Sequence, residues 1–260
     1  MKRITSPDNA TFKVLQTLAH SGRERRKQGR TVLDGLHLVE AWCNAYGVPE
    51  LLVVSDHGLQ QKENVEFLET HPTLVLIEMP DLLFGLVSPV ETPTGILALI
   101  RIPSPPPRRD IRGSCVVLDA VQDAGNLGSI LRNAAAAGIE DVLLGQGCAQ
   151  AWSPKVLRAS MGAHFVLRLH EHADVTSALG AYPGRIVATT IDAAETLYDL
   201  DLTGPVAWLF GSEGGGLSPS LAGLAARKIK IPMRGHTQSL NVAAAAAVCL
   251  FEELRQKLYP

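Results

Sequence analysis

The stretch "CVVLDAVQDAGNLGSILRNAAAAG", Cys115 to Gly138, changes period halfway along. Its opening, "CVVLDAV", is apolar on both faces, as in a strand covered on both sides. Its close, "LGSILRNAAAAG", has helical spacing and ends on a glycine stop signal. A strand feeding a helix through a glycine-bearing turn is the unit of an α/β domain. The unit recurs downstream. "DVLLG", "HFVLRL", "RIVATTI", "VAWLFG" and "KIKIPM" read as further buried strands, and "SPKVLRASMGA" as a further helix. Residues 113–260 therefore form an α/β domain on a parallel sheet.

The first half is similar and smaller, with strands near "TVLDG", "ELLVVS", "TLVLIEM" and "GILALI". Between the halves lies "RIPSPPPRRDIRG", Arg101 to Gly113. Consecutive prolines favour an extended chain and cannot continue a helix or an inner strand. The expected division is 1–102, a linker at 103–112, and 113–260, which suits a chain of 260 residues.

Hydrophobic content of 46% with 19% charge indicates a globular protein with a sizeable core. No apolar run is long enough to span a bilayer, so a membrane partner is not expected. The four cysteines are spread out with no CxxC pair, which points to a reducing, cytoplasmic setting. Met1 to Ala10 is polar and does not read as a secretory signal. The eight histidines lack ligand spacing, so no metal is expected.

The net charge of −2 is uninformative, but its distribution is not. Arg23, Arg25, Arg26, Lys27 and Arg30 crowd one short stretch, an electrostatic footprint for phosphate or else a solvated surface.

Three strand ends break the apolar pattern with polar residues and glycines, and ligands of open α/β sheets bind at that end. In the first, Asp119 closes the strand and Asn126 precedes a helix carrying Arg132. In one helix those two would stand about 120° apart, so Asn126 is expected in the turn. Arg132, on an apolar segment, needs an internal acid, a ligand or solvent. The second is "LFGSEGGGLS", with Gly211, Gly214, Gly215 and Gly216 around Glu213. It matches neither a P-loop nor a dinucleotide fingerprint. The glycines let backbone approach a ligand, and Glu213 reads as a fixed acceptor or a solvated acid. The third is "IPMRGHTQSLNVA", where Ser239 and Asn241 either cap a helix or act chemically. That helix, "SLNVAAAAAVCLFEELRQKL", starts apolar nearly all round, which suits a core helix or a subunit interface.

In that order, "NLGSILRNAAAAG", "LFGSEGGGLS" and "IPMRGHTQSLNVA" resemble the three signature motifs of the SpoU-type (TrmH-like) branch of the SPOUT RNA methyltransferases. "SPKVLRASMGAHFVLRL" resembles the segment between the first two motifs. "SPDNATFKVLQTLAHSGRERRKQGRTVLDGLHLVEAW" resembles the family's N-terminal substrate-binding domain, related in fold to small ribosomal proteins. The resemblance implies a ribose 2′-O-methyltransferase that uses S-adenosyl-L-methionine (SAM). It also implies a deep trefoil knot, against the general rule that chains do not thread loops, and a homodimer. Its catalytic positions fall on Asn126, Arg132, Glu213, Ser239 and Asn241, and its backbone contacts to SAM on Gly211, Ile231 and Leu240. The chain departs from the family in Ala124 within "DAGN", Asp34 within "LDGLHLV" and Gln238 before "SLN".

The 2′-hydroxyl makes RNA the substrate and excludes DNA. Ribosomal RNA suits a separate binding domain, and tRNA is the second expectation. Two other classes compete: a non-catalytic RNA-binding ribosome-assembly protein, and a metabolic enzyme binding a free nucleotide. The polar set Asn126, Arg132, Glu213 and Asn241 disfavours the first, and the basic N-terminal stretch the second.

Overall fold

The computed structural model describes residues 2–90, 92–104, 111–180, 182–235 and 239–259. The first half runs β1 (Lys2–Arg3), α1 (Ala10–His20), α2 (Gly22–Gln28), β2 (Arg30–Asp34), α3 (Leu36–Tyr46), β3 (Leu51–Ser55), α4 (Lys62–Thr70), β4 (Leu76–Met79), α5 (Asp81–Val87) and β5 (Ile96–Arg101). The second runs β6 (Cys115–Leu118), α6 (Ala124–Ala136), β7 (Asp141–Leu144), α7 (Pro154–Ser160), β8 (Arg168–Glu171), α8 (Val175–Leu179), β9 (Arg185–Thr189), β10 (Glu195–Thr196), β11 (Val206–Phe210), α9 (Pro219–Ala222), β12 (Arg227–Lys230) and α10 (Val242–Leu258). The prolines at 105–107, from which a linker was read, lie outside the described residues.

Two compact units result: Met1–Ser104 with Trp152–Phe165, and Pro105–Ala151 with Val166–Pro260. The first is built on a five-stranded sheet in the order β1-β4-β3-β5-β2. It is mixed: β1, β4 and β3 are parallel, and β5 runs antiparallel to β3 and β2. Phe12, Leu15 and Leu18 share one face of α1 and pack into a core with Val53, Met79, Phe84 and Leu97. Asn9 caps α1 through hydrogen bonds from the Thr11 and Phe12 amides. Ser21 then ends α1 and caps α2, which stops at Gly29 in the left-handed region.

Strand β2 is an edge strand, yet Thr31, Val32, Leu33 and Asp34 are all buried. The cover is Trp152–Phe165, from the second half of the sequence. Thr31 Oγ1 donates to the Trp152 carbonyl at 2.8 Å, and Val156 and Leu157 of α7 are fully buried. Ser153 caps α7, Pro154 opens it and Met161 ends it in the left-handed region. Residues 152–165 were expected with the second domain. Helical periodicity marks which face is apolar, not which sheet that face will cover.

The second unit holds a fully parallel seven-stranded sheet in the order β10-β12-β9-β11-β6-β7-β8. Every residue of β6, β7 and β11 is buried, as a parallel sheet covered on both faces requires. From β6 the chain builds β7 and β8 on one side, then crosses to build β9, β11 and β12 on the other. The crevice at the carboxyl ends of β6 and β11 is therefore the place to look for a ligand. The strand expected at "HFVLRL" is instead a short 3-10 turn, Ala163–Phe165, followed by β8. Helix α10 is not buried all round. Ala243, Ala246, Cys249, Leu250 and Glu253 face inward, while Ala244 and Phe251 are exposed and Val248 half-buried.

Candidate active site

At the end of β6, Asp119 bonds the Phe210 carbonyl through its amide at 2.9 Å, tying β6 to the end of β11. Four residues on, Asp123 caps α6, its Oδ1 accepting the Asn126 amide at 2.7 Å. This corrects the expected position of Asn126. It lies in the first turn of α6 rather than before it, because Asp123 starts the helix three residues earlier. Asn126 and Arg132 thus share one helix, about 9 Å apart along its axis and about 120° apart around it.

After β11 the glycines close a miniature turn. Ser212 and Gly216 exchange two backbone hydrogen bonds at 3.1 and 3.0 Å, and Ser212 Oγ accepts the Gly215 amide at 3.1 Å. A Cβ on Gly211 would lie 2.1 Å from the Gly216 carbonyl carbon. No side chain fits there, so glycine is required for the approach. Asp119 Oδ2 accepts the Ser218 amide at 2.6 Å and anchors the turn's exit to β6.

Three residues from three strand ends meet above this turn. Asn241 Nδ2 donates to Asn126 Oδ1 at 2.9 Å, and Asn126 Nδ2 donates to Glu213 Oε1 at 2.5 Å. Asn241 Oδ1 meanwhile caps α10, accepting the Ala243 and Ala244 amides at 2.9 and 3.3 Å. Asn241 therefore caps α10, one of the two uses open to it from sequence, while its amide nitrogen reaches Asn126. The chain of amides ends on a carboxylate, which fixes which edge of Asn126 donates and which accepts.

Arg132 is exposed and makes no hydrogen bond or ion pair with another described residue. Of the destinations open to it, an internal acid is not the one it takes. Ser239 and Leu240 are exposed just ahead of Asn241, and Ile231 is half-buried just beyond β12. Gln238, a departure from the motif, lies outside the described residues.

A nucleoside-bearing sulfonium cofactor fits what this crevice presents. Thr190 Oγ1, at the end of β9, is buried with no hydrogen-bond partner among the described residues. The Thr190 amide bonds the Ile229 carbonyl at 2.8 Å, which holds residue 190 beside the end of β12, two residues before Ile231. The Gly211 turn offers bare main chain, and Met233 and Leu240 are partly exposed apolar side chains. Such a mixture of main chain, one free hydroxyl and apolar surface suits a small nucleoside ligand. Thr190 and Asp119 were not assigned to the site from sequence. The signal was present in both, a polar residue immediately after a strand.

A cavity of about 450 Å³ opens at the opposite, amino ends of the strands. Its charged groups are largely spent on one another. Glu253 accepts from Ser114, Trp208 and Lys257, and Asp141 accepts from Arg168 and His170. Burial works to raise the Asp141 pKa, and the hydrogen bonds from Arg168 and His170 outweigh it, holding the group at about 2. Among the described residues no group of His, Cys, Asp and Glu is placed to hold a metal. Among them, too, no helix is long and apolar enough to cross a membrane.

In the first unit the basic cluster is smaller than its sequence. Arg23, Arg26 and Lys27 are exposed on α2. Arg25, expected to bind RNA, is only 6% exposed, and its guanidinium donates to the Leu18 and Ala19 carbonyls at 2.7 and 3.2 Å. It closes the C-terminus of α1, a use that removes it from solvent. Burial first, and Arg26 second, lower its pKa. Arg30 pairs with Glu50 at 2.9 Å.

Residues 113–251 match the SpoU rRNA Methylase family, and residues 9–98 match the MRM3-like substrate binding domain. The 23S rRNA (guanosine(2553)-2′-O)-methyltransferase RlmP of Bacillus subtilis is 31% identical over 96% of this chain and 98% of its own. A crystal structure of an RNA 2′-O ribose methyltransferase superposes with a TM-score of 0.86 at 33% identity, covering 98% of this chain and 99% of that one. The SpoU methyltransferase AviRb of Streptomyces viridochromogenes, solved with AdoMet, superposes at 0.85 with 26% identity over 96% and 99%. The chain belongs to the SpoU rRNA methylase family, a class of SAM-dependent RNA methyltransferases.

Proposed function

We propose that the protein transfers the methyl group of SAM to a ribose 2′-hydroxyl of ribosomal RNA. The observation that carries this reading is the Asn241–Asn126–Glu213 chain, held above the Gly211 turn at the carboxyl ends of the strands. Relatives named for 23S rRNA 2′-O-methylation support the substrate class.

Main chain at Gly211, Ile231 and Leu240 would hold SAM, with Thr190 Oγ1 free to meet one of its polar groups. SAM supplies a methyl already activated by its sulfonium, so the protein must supply alignment and a more nucleophilic 2′-oxygen. Glu213 locks the Asn126 amide, and Asn126 with Ser239 and Asn241 positions the ribose. Arg132, unpaired and exposed, faces the phosphate beside the reacting sugar and the charge developing on the 2′-oxygen. A guanidinium with a pKa above about 12 is a poor base, so its contribution is electrostatic.

Residues 1–102 recognise the RNA, with Arg23, Arg26 and Lys27 as the contacts the cluster retains. Residues 113–260 perform the transfer, and 103–112 join the two. The knot and the homodimer belong to the same proposal. Support for the knot is that α10 packs against α6 and Asn241 bonds Asn126, bringing the end of the chain back to the first helix of its unit. Support for the dimer is the stripe of exposed Ala244, half-buried Val248 and exposed Phe251, spaced four and three along α10. Four free cysteines, two of them buried, suit the cytoplasm.

The test is methyl transfer from labelled SAM to transcribed 23S rRNA, with 2′-O-methyl positions mapped in a deletion strain against its parent. A site lost from ribosomal RNA is expected. A site lost from tRNA instead, or from no RNA, refutes the proposal.

A further inference from the structure

In the first unit half of the lysines and arginines are spent. Arg3 pairs with Asp56 and Glu78, Lys13 with Asp8, Lys62 with Glu66, and Arg30 and Arg101 share Glu50. Arg25 is committed to the end of α1. Six remain without a hydrogen bond or ion pair to another described residue: Lys2, Arg23, Arg26, Lys27, Lys155 and Arg158, of which Arg158 lies near enough to the buried Asp34 carboxylate to favour its charged form.

Five of these six flank one edge, that of β2. Arg23, Arg26 and Lys27 lie three and four apart, on one face of α2, and α2 ends at Gly29, two residues before Thr31. Lys155 and Arg158 lie three apart on α7, opposite its buried Val156 and Leu157. Segment 152–161 follows β2 closely. Trp152 meets Thr31 through a hydrogen bond, and the Met161 carbonyl meets the His37 ring at 3.4 Å just past the strand's end. Helices α2 and α7 therefore both contact β2, and the two cation groups border the same strand.

We infer that Lys155 and Arg158, carried by the β7–β8 crossover, bind RNA phosphates and extend the α2 cations into one surface along the covered edge of β2. The inference rests on the proposed function and adds to it a site in the methyltransferase half of the sequence. Unpaired cations in a row fit a polyanion, whereas protein interfaces favour a buried apolar centre and deplete lysine.

The experiment measures binding of protein-free 23S rRNA transcript across a salt series for the parent and for K155A/R158A. Each lost phosphate contact should flatten the slope of log affinity against log salt by about 0.7–0.9. The double variant should thus lose about 1.4–1.8, with SAM affinity and melting temperature at parental values. Lys13→Ala and Lys62→Ala, exposed cations on other elements, should keep the parental slope. Should the alanine pair melt early, K155Q/R158Q keeps the aliphatic stems and must show the same loss. An unchanged slope in a protein whose parent methylates the transcript overturns the inference alone. So does a loss seen only with ribosomal particles, which would make this a protein-docking face. A parent that neither binds nor methylates the transcript overturns the proposed function, and this inference with it.

Discussion

Gly211→Ala adds one methyl group where the structure has no room for it. The new carbon would stand 2.1 Å from the Gly216 carbonyl carbon, 2.3 Å from its oxygen and 2.4 Å from the Leu217 nitrogen, whereas ordinary contact begins near 3.4 Å. The neighbours are all main chain, so no rotamer change relieves the clash and the turn must open by more than an ångström. Opening breaks the two Ser212–Gly216 bonds and the Ser212–Gly215 bond. At about 0.5 kcal/mol each, the low end suited to exposed groups, these come to roughly 1.5 kcal/mol. Overpacking strain of about 1–3 kcal/mol is the alternative if the turn holds. Either way the SAM-competent wall is penalised by roughly 1–3 kcal/mol, a rise in Kd of about 5- to 150-fold. Calorimetric titration with SAM measures it, beside Gly204→Ala, whose added methyl meets nothing within 4 Å. Parental SAM affinity in Gly211→Ala would show that this turn does not form the cofactor wall.

Arg132→Ala should slow single-turnover methyl transfer by roughly 100-fold or more with SAM affinity kept, and Arg132→Lys should rescue only in part. Asn126→Ala cuts both bonds of the amide chain and should lower the rate on a similar scale; Asn126→Asp should be worse, since it sets a second carboxylate against Glu213. On the proposed homodimer, Phe251→Glu should shift sedimentation toward monomer, whereas Ala246→Glu should unfold the protein, because Ala246 is wholly buried within its own chain. Asp141, held at about 2 against an ordinary 3.8, stabilises the fold above about pH 4. That contribution, about 2 kcal/mol, is lost as pH falls from about 4 to 2. Melting curves of Asp141→Asn should be flatter than the parent's across that window, and equal slopes would refute the assignment.

The strand ends were legible because a covered parallel strand is apolar throughout, so the first polar residue marks where it leaves the sheet. Asp119, the turn after Phe210 and the approach to Asn241 all stand at such points. Asn126 was misplaced because its 120° separation from Arg132 was taken to exclude a shared helix, which it does not. Asp123, three residues ahead of the Asn126 amide, was the stronger signal, and it caps a helix that accepts Gly128 as a buried position. The basic run gave its charge but not its use. Nothing local separates Arg25, which reaches back to carbonyls six and seven residues earlier, from Arg26, which reaches none. Helix α10 misled for a different reason: alanine suits a core and an exposed stripe equally, so its periodicity carries little contrast. Strands β1 and β10, two residues each, are too short to have a period.

The cover of β2 has a consequence in time. The strand is complete once residue 34 has been made, and its partner β5 once residue 101 has, but the cover ends only at Phe165. Sixty-one residues separate Ser104 from Phe165. At about 5–20 residues per second, a ribosome needs roughly 3–12 s to supply them. Through that interval the nascent first unit carries a bare strand edge, the feature most prone to pair with another chain. The newborn protein is therefore most exposed to aggregation after its first unit looks finished by sequence, and an arrest placed between these two points should lengthen its dependence on chaperones.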